Sequence, residues 1–579
     1  MAASLPYHEP DIVTILVLTS FLLLLNIVNA ALDRILYCGL LGQVLLGIAW
    51  GTPGSKWLST HVEEVVVQLG YLGLILLVYE GGLSTSFKSL KANLFLSVGV
   101  AITGIAFPIA ISYSLQGLLD ATPLQAFSAG AALCSTSLGT TFTVLAASGL
   151  SSSRLGVVLT SAAMMDDVVG LVMVQVISNL GGGNLSPIIV VRPILISVAF
   201  AVVVPLACHF IVKPTTLYLN RYREVRPAAR IGQIMRLGQT AFALHTALLV
   251  ALVTGATYAG TSNLLAAYIA GAVISWWDSE VPHLGSCASS ETPNPVEGKA
   301  QPKGSVQNAD EPLEPEPTPT AGSDQVVTEP STSDKEASNK TTTGEAVYER
   351  YYQQAVSRIL QPFFFASIGF SIPVTRMFRA SIVWRGLVYA ILMTFGKLVC
   401  GLWLVRFSSG PGKNTPSKLL SRLKLPSAAH FWGKSTAKLS GENPIDPARS
   451  NTASSGGIAS PAVTGNTAVT SQAAPSPPKP FSLHPPLILA LAMTARGEIG
   501  FLISAVAESK GVFSSSSTTG DLSSESDIFL VVTWAIVLCT ILGPLGVGLS
   551  VRRVRALEEK KNKEQEGTGR DVLGVWGVE

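Results

Sequence analysis

Apolar residues gather along this chain into long runs, separated by short polar or basic connections and by two long polar stretches. A helix needs about 20 mainly apolar residues to cross the hydrocarbon core of a bilayer, and most of the runs reach that length. Inside hydrocarbon the backbone must satisfy its own hydrogen bonds, so helices are expected rather than open sheets. The pattern predicts thirteen transmembrane helices, near residues 12–32, 35–52, 62–80, 92–116, 123–148, 154–179, 186–212, 238–258, 261–277, 355–373, 380–406, 484–508 and 527–550.

The composition agrees with a membrane protein. Of the 579 residues, 48% are hydrophobic and 13% are charged, whereas a soluble chain carries about 25% charged residues. The net charge of +3 is too small to indicate a nucleic-acid partner. The six cysteines are scattered without metal-ligand spacing, so no disulfide framework and no metal other than a transported monovalent cation is predicted. The first apolar run has no basic segment before it, so we interpret it as a retained span.

Lysine and arginine show the orientation, because they collect on the cytosolic side of membrane proteins. If the N-terminus lies outside, the main basic groups fall on inside connections and on the C-terminal tail, whereas the connection near Arg376 and Arg379 is an exception. We therefore predict an outside N-terminus and an inside C-terminus. The residues that support this orientation are Lys88, Lys91, Arg154, Arg221, Arg223, Arg226, Arg230, Arg236, Arg552, Arg553 and Arg555.

The two polar stretches interrupt the membrane part. One is acidic and rich in Pro, Ser and Thr, and the other is basic and rich in Ser, Pro, Gly and Ala. Neither can bury enough apolar surface to fold alone, so both are predicted to be disordered cytosolic inserts, with a regulatory role or as simple spacers. The predicted domains are helices 1–9 in 1–278, the acidic insert in 279–350, helices 10–11 in 351–406, the basic insert in 407–482, helices 12–13 in 483–550 and a charged cytosolic tail in 551–579.

Two adjacent carboxylates, Asp166 and Asp167, lie halfway along an apolar predicted helix. Each ionisable residue at such a depth costs about 2.5–3.5 kcal/mol on insertion scales, and the helical neighbours Ala163, Met164 and Gly170 cannot neutralise either one. Burial and like-charge repulsion both favour the protonated form. A carboxylate in this position can hold a proton or a dehydrated cation, but rarely both, and an exchanger needs that competition. The alternative is a structural pair that caps a broken helix.

A hydroxyl-rich stretch, Ser135–Thr141, interrupts the preceding predicted helix. Unwound backbone at membrane depth is tolerated where it lines protein or a cavity, and discontinuous helices often form the ion sites of transporters. We interpret Thr136, Ser137 and Thr140 as candidate ligands for the cation. The alternative is that these side chains pack between helices.

Other charges also lie within predicted helices. Lys397 is a lone cation deep in the eleventh helix, and Asp166 is its expected partner, although the lysine could instead snorkel to the interface. Arg496 and Glu498 flank a glycine in the twelfth helix. We interpret them as a structural ion pair that stabilises an unwound segment. A direct role in cation binding is the less favoured alternative. Glu80 lies near the end of the third helix and is expected to be solvated.

Taken together, these features resemble the monovalent cation:proton antiporter-2 family, with a sodium/hydrogen exchanger-type membrane domain of fungal-like character. The likeness covers nearly all of the membrane part and neither insert. It depends on motifs that occur in the family's order: Tyr79–Leu83, the broken Thr136–Thr141 helix, the Asp166–Asp167 pair, Ser262–Gly271, Phe363–Gly369, Gly396–Lys397 and Ala495–Ile499.

The resemblance implies an all-α polytopic fold of about thirteen helices, with inverted repeats and two crossing discontinuous helices. It assigns ion binding to Asp167 and a salt bridge to Asp166 and Lys397. It further implies a homodimer formed through the early helices. One departure is Ser137, which follows Thr136 where many bacterial members carry an acidic residue; cation coordination should therefore depend more on hydroxyls and carbonyls.

We therefore expect a secondary active antiporter that exchanges Na+ or K+ for protons by alternating access, without a cofactor and without enzymatic activity. The plasma membrane and endosomal or vacuolar membranes are the expected locations. The alternatives are a non-transporting ion or pH sensor and a channel on the same scaffold. The sequence contains no Walker loop, dinucleotide fingerprint or zinc-protease motif.

Overall fold

The structure is a computed structural model that describes residues 9–36, 38–85, 93–137, 139, 141, 145, 150, 153–181, 187–225, 238–280, 343–405, 483–514 and 526–564. Every element within these ranges is helical. The helices, in chain order, are α1 Ile12–Leu36, α2 Gly39–Trp50, α3 Thr60–Leu83, α4 Leu94–Ser112, α5 Leu115–Leu119, α6 Pro123–Ala132, α7 Arg154–Leu180, α8 Pro187–Ala207, α9 Lys213–Val225, α10 Gly238–Ala259, α11 Asn263–Glu280, α12 Gly344–Tyr351, α13 Gln353–Ala355, α14 Gln361–Phe370, α15 Val374–Met377, α16 Ala380–Leu398, α17 His484–Ala492, α18 Glu498–Ser509 and α19 Asp527–Glu564.

The predicted fold class, an all-α polytopic membrane protein, is confirmed. In the described part of the chain, eight helical spans are long and apolar enough to cross a membrane. Each of the thirteen predicted spans contains helix, but several are short or interrupted, so the count of thirteen stays a prediction. π-helical turns continue α8 and precede α14, and a 3₁₀ turn at Val399–Leu404 extends α16.

Helix α12 is a difference from the sequence prediction. It lies inside the 279–350 segment, so the prediction of disorder is wrong at the C-terminal end of that segment. Thr343 caps the helix by accepting a hydrogen bond from the Ala346 backbone N–H. The helix buries Val347 and Tyr348 against the membrane part. Most of both predicted inserts, the basic residues Lys88 and Lys91 and the end of the tail lie outside the described residues.

Most of the described helices pack in two groups. We call α1–α3 with α10–α14 the scaffold group, and α4, α6, α7 and α16–α19 the site group. Two glycine contacts bind the scaffold group tightly. A Cβ on Gly271 of α11 would lie 2.8 Å from the Leu83 backbone nitrogen of α3, and a Cβ on Gly369 of α14 would lie 2.7 Å from the Ile48 backbone nitrogen of α2. Glycine therefore lets these helices touch backbone to backbone.

Candidate ion-binding site

Two helix breaks meet in the middle of the site group. Helix α6 ends at Ala132 and helix resumes by residue 139, while α17 ends at Ala492 and α18 begins at Glu498. The Ser137 backbone N–H donates to the Ala495 carbonyl at 3.0 Å, which joins the two unwound segments directly. The predicted crossing of two discontinuous helices is therefore confirmed.

Gly497 allows this close crossing. A Cβ at this position would lie 2.5 Å from the Ser137 Oγ and 2.6 Å from the Ser137 Cβ. Real Cβ atoms do not approach other heavy atoms so closely, so any larger residue would push the two breaks apart. Gly170 of α7 has a similar function, because a Cβ there would lie 2.9 Å from the Ile499 side chain and 3.0 Å from the Ser135 Cβ.

Asp166 and Lys397 form a buried salt bridge beside the crossing. The Lys397 Nζ lies 2.7 Å from the Asp166 Oδ2, and both side chains are fully buried. The same ammonium donates to the Cys134 carbonyl at 2.7 Å and to the Thr136 Oγ1 at 3.0 Å, so all three of its donors are used. Helix α16 thus supplies the charge that holds the unwound end of α6 against α7. The structure contains the pair that the sequence predicts, and Lys397 does not snorkel.

Thr136 lies within this ion-pair network. Its Oγ1 is 3.0 Å from the Asp166 Oδ2 and 3.3 Å from the Met493 carbonyl oxygen, so it can donate to either. Of the other predicted hydroxyl ligands, Ser137 is buried and its Oγ is 3.5 Å from the Glu498 Oε2. Thr140 lies outside the described residues. A role for these hydroxyls in cation binding stays a prediction.

Asp167 has different surroundings from its neighbour. It is 5% exposed, and its carboxylate makes no hydrogen bond to any described residue. Adjacent residues on a helix point about 100° apart, so Asp167 faces away from Lys397 and lines a cavity of about 390 Å³. Four carboxylates contribute to the cavity wall, and no lysine or arginine is among its described lining residues: the acids are Asp33, Glu80, Asp167 and Glu498.

The predicted ion pair between Arg496 and Glu498 is wrong. The Arg496 Nη1 donates instead to the Ser135 carbonyl at 2.8 Å, and no salt bridge joins the two side chains, both of which are described. The unwound segment brings Arg496 to the C-terminal end of α6, where the partial negative charge of the helix end favours a cation. Glu498 already belongs to the first turn of α18 and faces the cavity.

The sequence interpretation also missed part of the cavity wall. Glu80 is half-buried rather than solvated, and its Oε2 accepts a hydrogen bond from the Tyr348 hydroxyl at 3.0 Å. Tyr348 lies on α12, in a segment predicted to be disordered. A Thr343 cap before an amphipathic turn was the available signal for α12. Tyr268, also in the wall, belongs to the Ser262–Gly271 motif but carries no charge to attract attention.

Crossing discontinuous helices beside buried charges, inside a bundle of membrane-spanning helices, are typical of secondary transporters. The comparison with known families agrees with this class. Residues 14–284 match the sodium/hydrogen exchanger transmembrane family. This part of a multi-pass integral membrane protein is therefore similar to a sodium/hydrogen exchanger transmembrane domain, which agrees with the resemblance found in the sequence.

Individual proteins show the same likeness. The chain is 32% identical over 140 residues to the high-affinity Na+/H+ antiporter NhaS3 of Synechocystis, covering 24% of this chain and 30% of that protein. It is 29% identical over 133 residues to the Na+/H+-K+ antiporter GerN of Bacillus cereus, covering 23% and 34%. The matched segments thus span about a third of these relatives. The solved structure of the sodium proton antiporter MjNhaP1 from Methanocaldococcus jannaschii aligns with 93% of this chain and 98% of that one, with a TM-score of 0.47 and 12% identity.

Proposed function

We propose that this protein is a secondary active antiporter that exchanges a monovalent cation, Na+ or K+, for protons by alternating access. The observation that supports this most directly is Asp167, a buried carboxylate at the wall of an acidic cavity that has no hydrogen-bond partner among the described residues. An isolated buried carboxylate is costly when ionised, so it binds either a proton or a cation. The family match supports the same function, and the antiporter names of the two relatives support the choice of substrates.

The neighbouring aspartate has a different role in this proposal. Asp166 has its charge offset by Lys397 at 2.7 Å and holds the crossing in place. Asp167 is left to take up and release the transported ions. The alternative of two structural aspartates agrees with the contacts of Asp166. It gives no account of Asp167, whose side chain has no hydrogen-bond partner in the described part of the chain.

The cavity faces the side that we predict to be cytosolic. Asp33 lies near the C-terminal end of α1, and Glu80 and Ser84 lie at the C-terminal end of α3. Both ends are inside if the N-terminus is outside, as the distribution of lysine and arginine predicts. The structure then corresponds to an inward-facing state in which Asp167 exchanges ions with the cytosol. In the outward-facing state, protons displace the cation on the other side.

Charge movement depends on the Asp166–Lys397 pair in this mechanism. If the pair releases and rebinds a proton in each cycle, more than one proton moves per cation and the transport carries net charge. The free energy of such transport changes by about 2.3 kcal/mol per charge for every 100 mV of membrane potential. If the pair stays closed, only Asp167 titrates and the exchange is electroneutral.

We also propose that the protein forms a homodimer in a plasma, endosomal or vacuolar membrane. The resemblance implies a dimer contact in the early helices. Helix α1 agrees with this because it exposes large apolar side chains, among them Ile12 at 63% and Leu16 at 61%, which would contact a second copy or lipid.

The decisive experiment is flux in reconstituted vesicles. The full chain is placed in vesicles with a pH gradient, and proton movement is followed on addition of Na+, K+ or Li+. We expect exchange for the wild type and background rates for Asp167→Asn. The matched control is Asp120→Asn, an exposed aspartate with a left-handed backbone (φ 52°) that asparagine also tolerates.

Three results would contradict the proposal. An Asp167→Asn protein that exchanges at the wild-type rate would show that Asp167 does not bind the transported ions. Cation binding without flux would indicate a sensor. Currents far above the rate of a turnover cycle would indicate a channel.

A further inference from the structure

We propose that Glu498 is a second ligand of the transported cation, so that the ion is held by two carboxylates, Asp167 and Glu498. This inference rests on the proposed function and adds a residue from the other broken segment to its binding site. The sequence interpretation had favoured a structural role for Glu498, and the contacts of this side chain argue against that role.

The first observation is that Glu498 has no cationic partner among the residues that the structure describes. Arg496 is directed to the Ser135 carbonyl, and Lys397 is occupied by Asp166. The polar side-chain contact of Glu498 is the Ser137 hydroxyl at 3.5 Å, which is at the limit of a hydrogen bond. The residue is nevertheless only 8% exposed. Besides this hydroxyl, the carboxylate has a hydrogen bond from its own backbone N–H. A buried carboxylate without a cationic side chain beside it binds a proton or an external cation.

The second observation is that Asp167 and Glu498 line the same cavity, although they come from different helices. Asp167 is 5% exposed and, within the described chain, contacts no hydrogen-bond donor. Two carboxylates that face one poorly hydrated cavity are stabilised by a cation that contacts both. Carboxylate oxygens are suitable ligands for such hard cations.

The third observation is the backbone that carries Glu498. It is the first residue of α18, at the N-terminal end of a twelve-residue half-helix, where the partial positive charge of the helix favours a carboxylate. Gly497 precedes it and permits the crossing with Ser137. The break therefore places the Glu498 carboxylate at membrane depth, beside the other broken helix. A continuous helix through residues 484–509 would not leave its N-terminal end there.

The test compares Glu498→Gln with the wild type in full-chain vesicles, measuring initial exchange rates against Na+ and K+ concentration. Loss of a ligand used in binding raises KM with little change in kcat. We expect KM to rise about tenfold or more, with kcat within about threefold. In detergent, the increase in Tm produced by Na+ or K+ should shrink in the variant, because ligand-induced stabilisation follows affinity. A merely structural role would lower Tm without removing this cation-dependent shift.

The matched control is Glu508→Gln. Glu508 lies at the other end of α18 and accepts hydrogen bonds from the Ser526 backbone N–H at 2.8 Å and from its hydroxyl at 2.7 Å. This variant should keep the wild-type KM. If Glu498→Gln does not fold, Glu498→Asp retains the charge on a shorter side chain and should still raise KM.

The outcomes separate this inference from the proposed function. Wild-type KM and wild-type cation stabilisation in Glu498→Gln, or wild-type KM in Glu498→Asp, would overturn the role of Glu498. Asp167→Asn would still abolish exchange in that case, and the proposed function would stand. If Asp167→Asn exchanges normally, both the function and the second ligand are refuted.

Discussion

Replacing Lys397 by methionine should destabilise the protein, because it removes one partner of a fully buried ion pair. Methionine fills almost the same volume, so the packing changes little. The three hydrogen bonds from the Nζ disappear, at 2.7 Å to the Asp166 Oδ2, 2.7 Å to the Cys134 carbonyl and 3.0 Å to the Thr136 Oγ1. The Asp166 Oδ1 already has no partner among the described residues, so only the Thr136 hydroxyl would remain as a donor to this carboxylate.

The expected loss of stability is about 3–5 kcal/mol, the usual effect of leaving one member of a buried ion pair without its partner. Protonation of Asp166 would bring the loss towards the lower end of this range. The double variant Asp166→Asn with Lys397→Met removes both charges while keeping both shapes. Because replacing a whole buried pair is often close to neutral, we expect the double variant to regain about 2–3 kcal/mol over the sum of the two single losses.

The assay is unfolding of the purified chain in mixed micelles titrated with a denaturing detergent, followed by the fluorescence of its nine tryptophans. Three variants and the wild type complete a double-mutant cycle. If Lys397→Met is as stable as the wild type, the pair contributes nothing to the fold. If the double variant loses the sum of the single effects, the two residues are not coupled and the Asp166–Lys397 interaction is refuted as a stabilising element.

Two further variants test the crossing and the cavity wall. Gly497→Ala places a Cβ 2.5 Å from the Ser137 Oγ. It should lower the free energy of unfolding by about 1–3 kcal/mol, the usual effect of overpacking, and should slow ion exchange. Unfolding measures the first effect and vesicle flux the second. Tyr348→Phe keeps the ring but loses the 3.0 Å hydrogen bond to Glu80. It should cost about 1 kcal/mol and should raise the rate of amide hydrogen exchange across α12.

Each of these variants has a control within the chain. Gly255 lies inside α10, and a Cβ there would meet nothing within 4 Å, so Gly255→Ala should be neutral or slightly stabilising because alanine favours a helix. If Gly255→Ala and Gly497→Ala lose equal stability, the crossing has no specific role in the stability of the protein. Glu80→Gln keeps a hydrogen-bond acceptor for Tyr348, so amide exchange in α12 should stay near that of the wild type. An unchanged rate of amide hydrogen exchange across α12 in Tyr348→Phe would show that the Tyr348 hydroxyl does not hold this helix in place.

The sequence predicted the helices well because apolar runs are a direct consequence of the solvent that surrounds them. It also predicted the Asp166–Lys397 contact, because a buried ammonium needs an anion and few were available at that depth. Both breaks were found from glycines and hydroxyl residues. The sequence thus named the Asp166–Lys397 pair and both breaks, but it missed Glu80 and Tyr268 as parts of the cavity wall.

The assignment of contacts within the breaks was less successful, and the reason is geometric. Arg496 and Glu498 are close in sequence and opposite in charge, but one lies in unwound backbone and the other in a helical turn, so spacing alone does not say where they point. Ser137 was expected to leave cation coordination to hydroxyls and carbonyls. The structure instead brings a carboxylate beside it, from residue 498 on the opposite broken segment, and no local pattern predicts such a long-range approach.

The glycine contacts of the scaffold group have a mechanical consequence. Where α3 meets α11 and α2 meets α14, backbone touches backbone, and no flexible side chain lies between them to absorb a displacement. A close-packed interior transmits strain rather than deforming, so these helices should shift together or not at all. Glu80, on α3, is fixed to this stiff wall, whereas Asp167 and Glu498 belong to the other group. Closure of the cavity would therefore be a sliding of one half of its wall past the other. In the proposed transport cycle, the distance between residues 80 and 167 should report this movement.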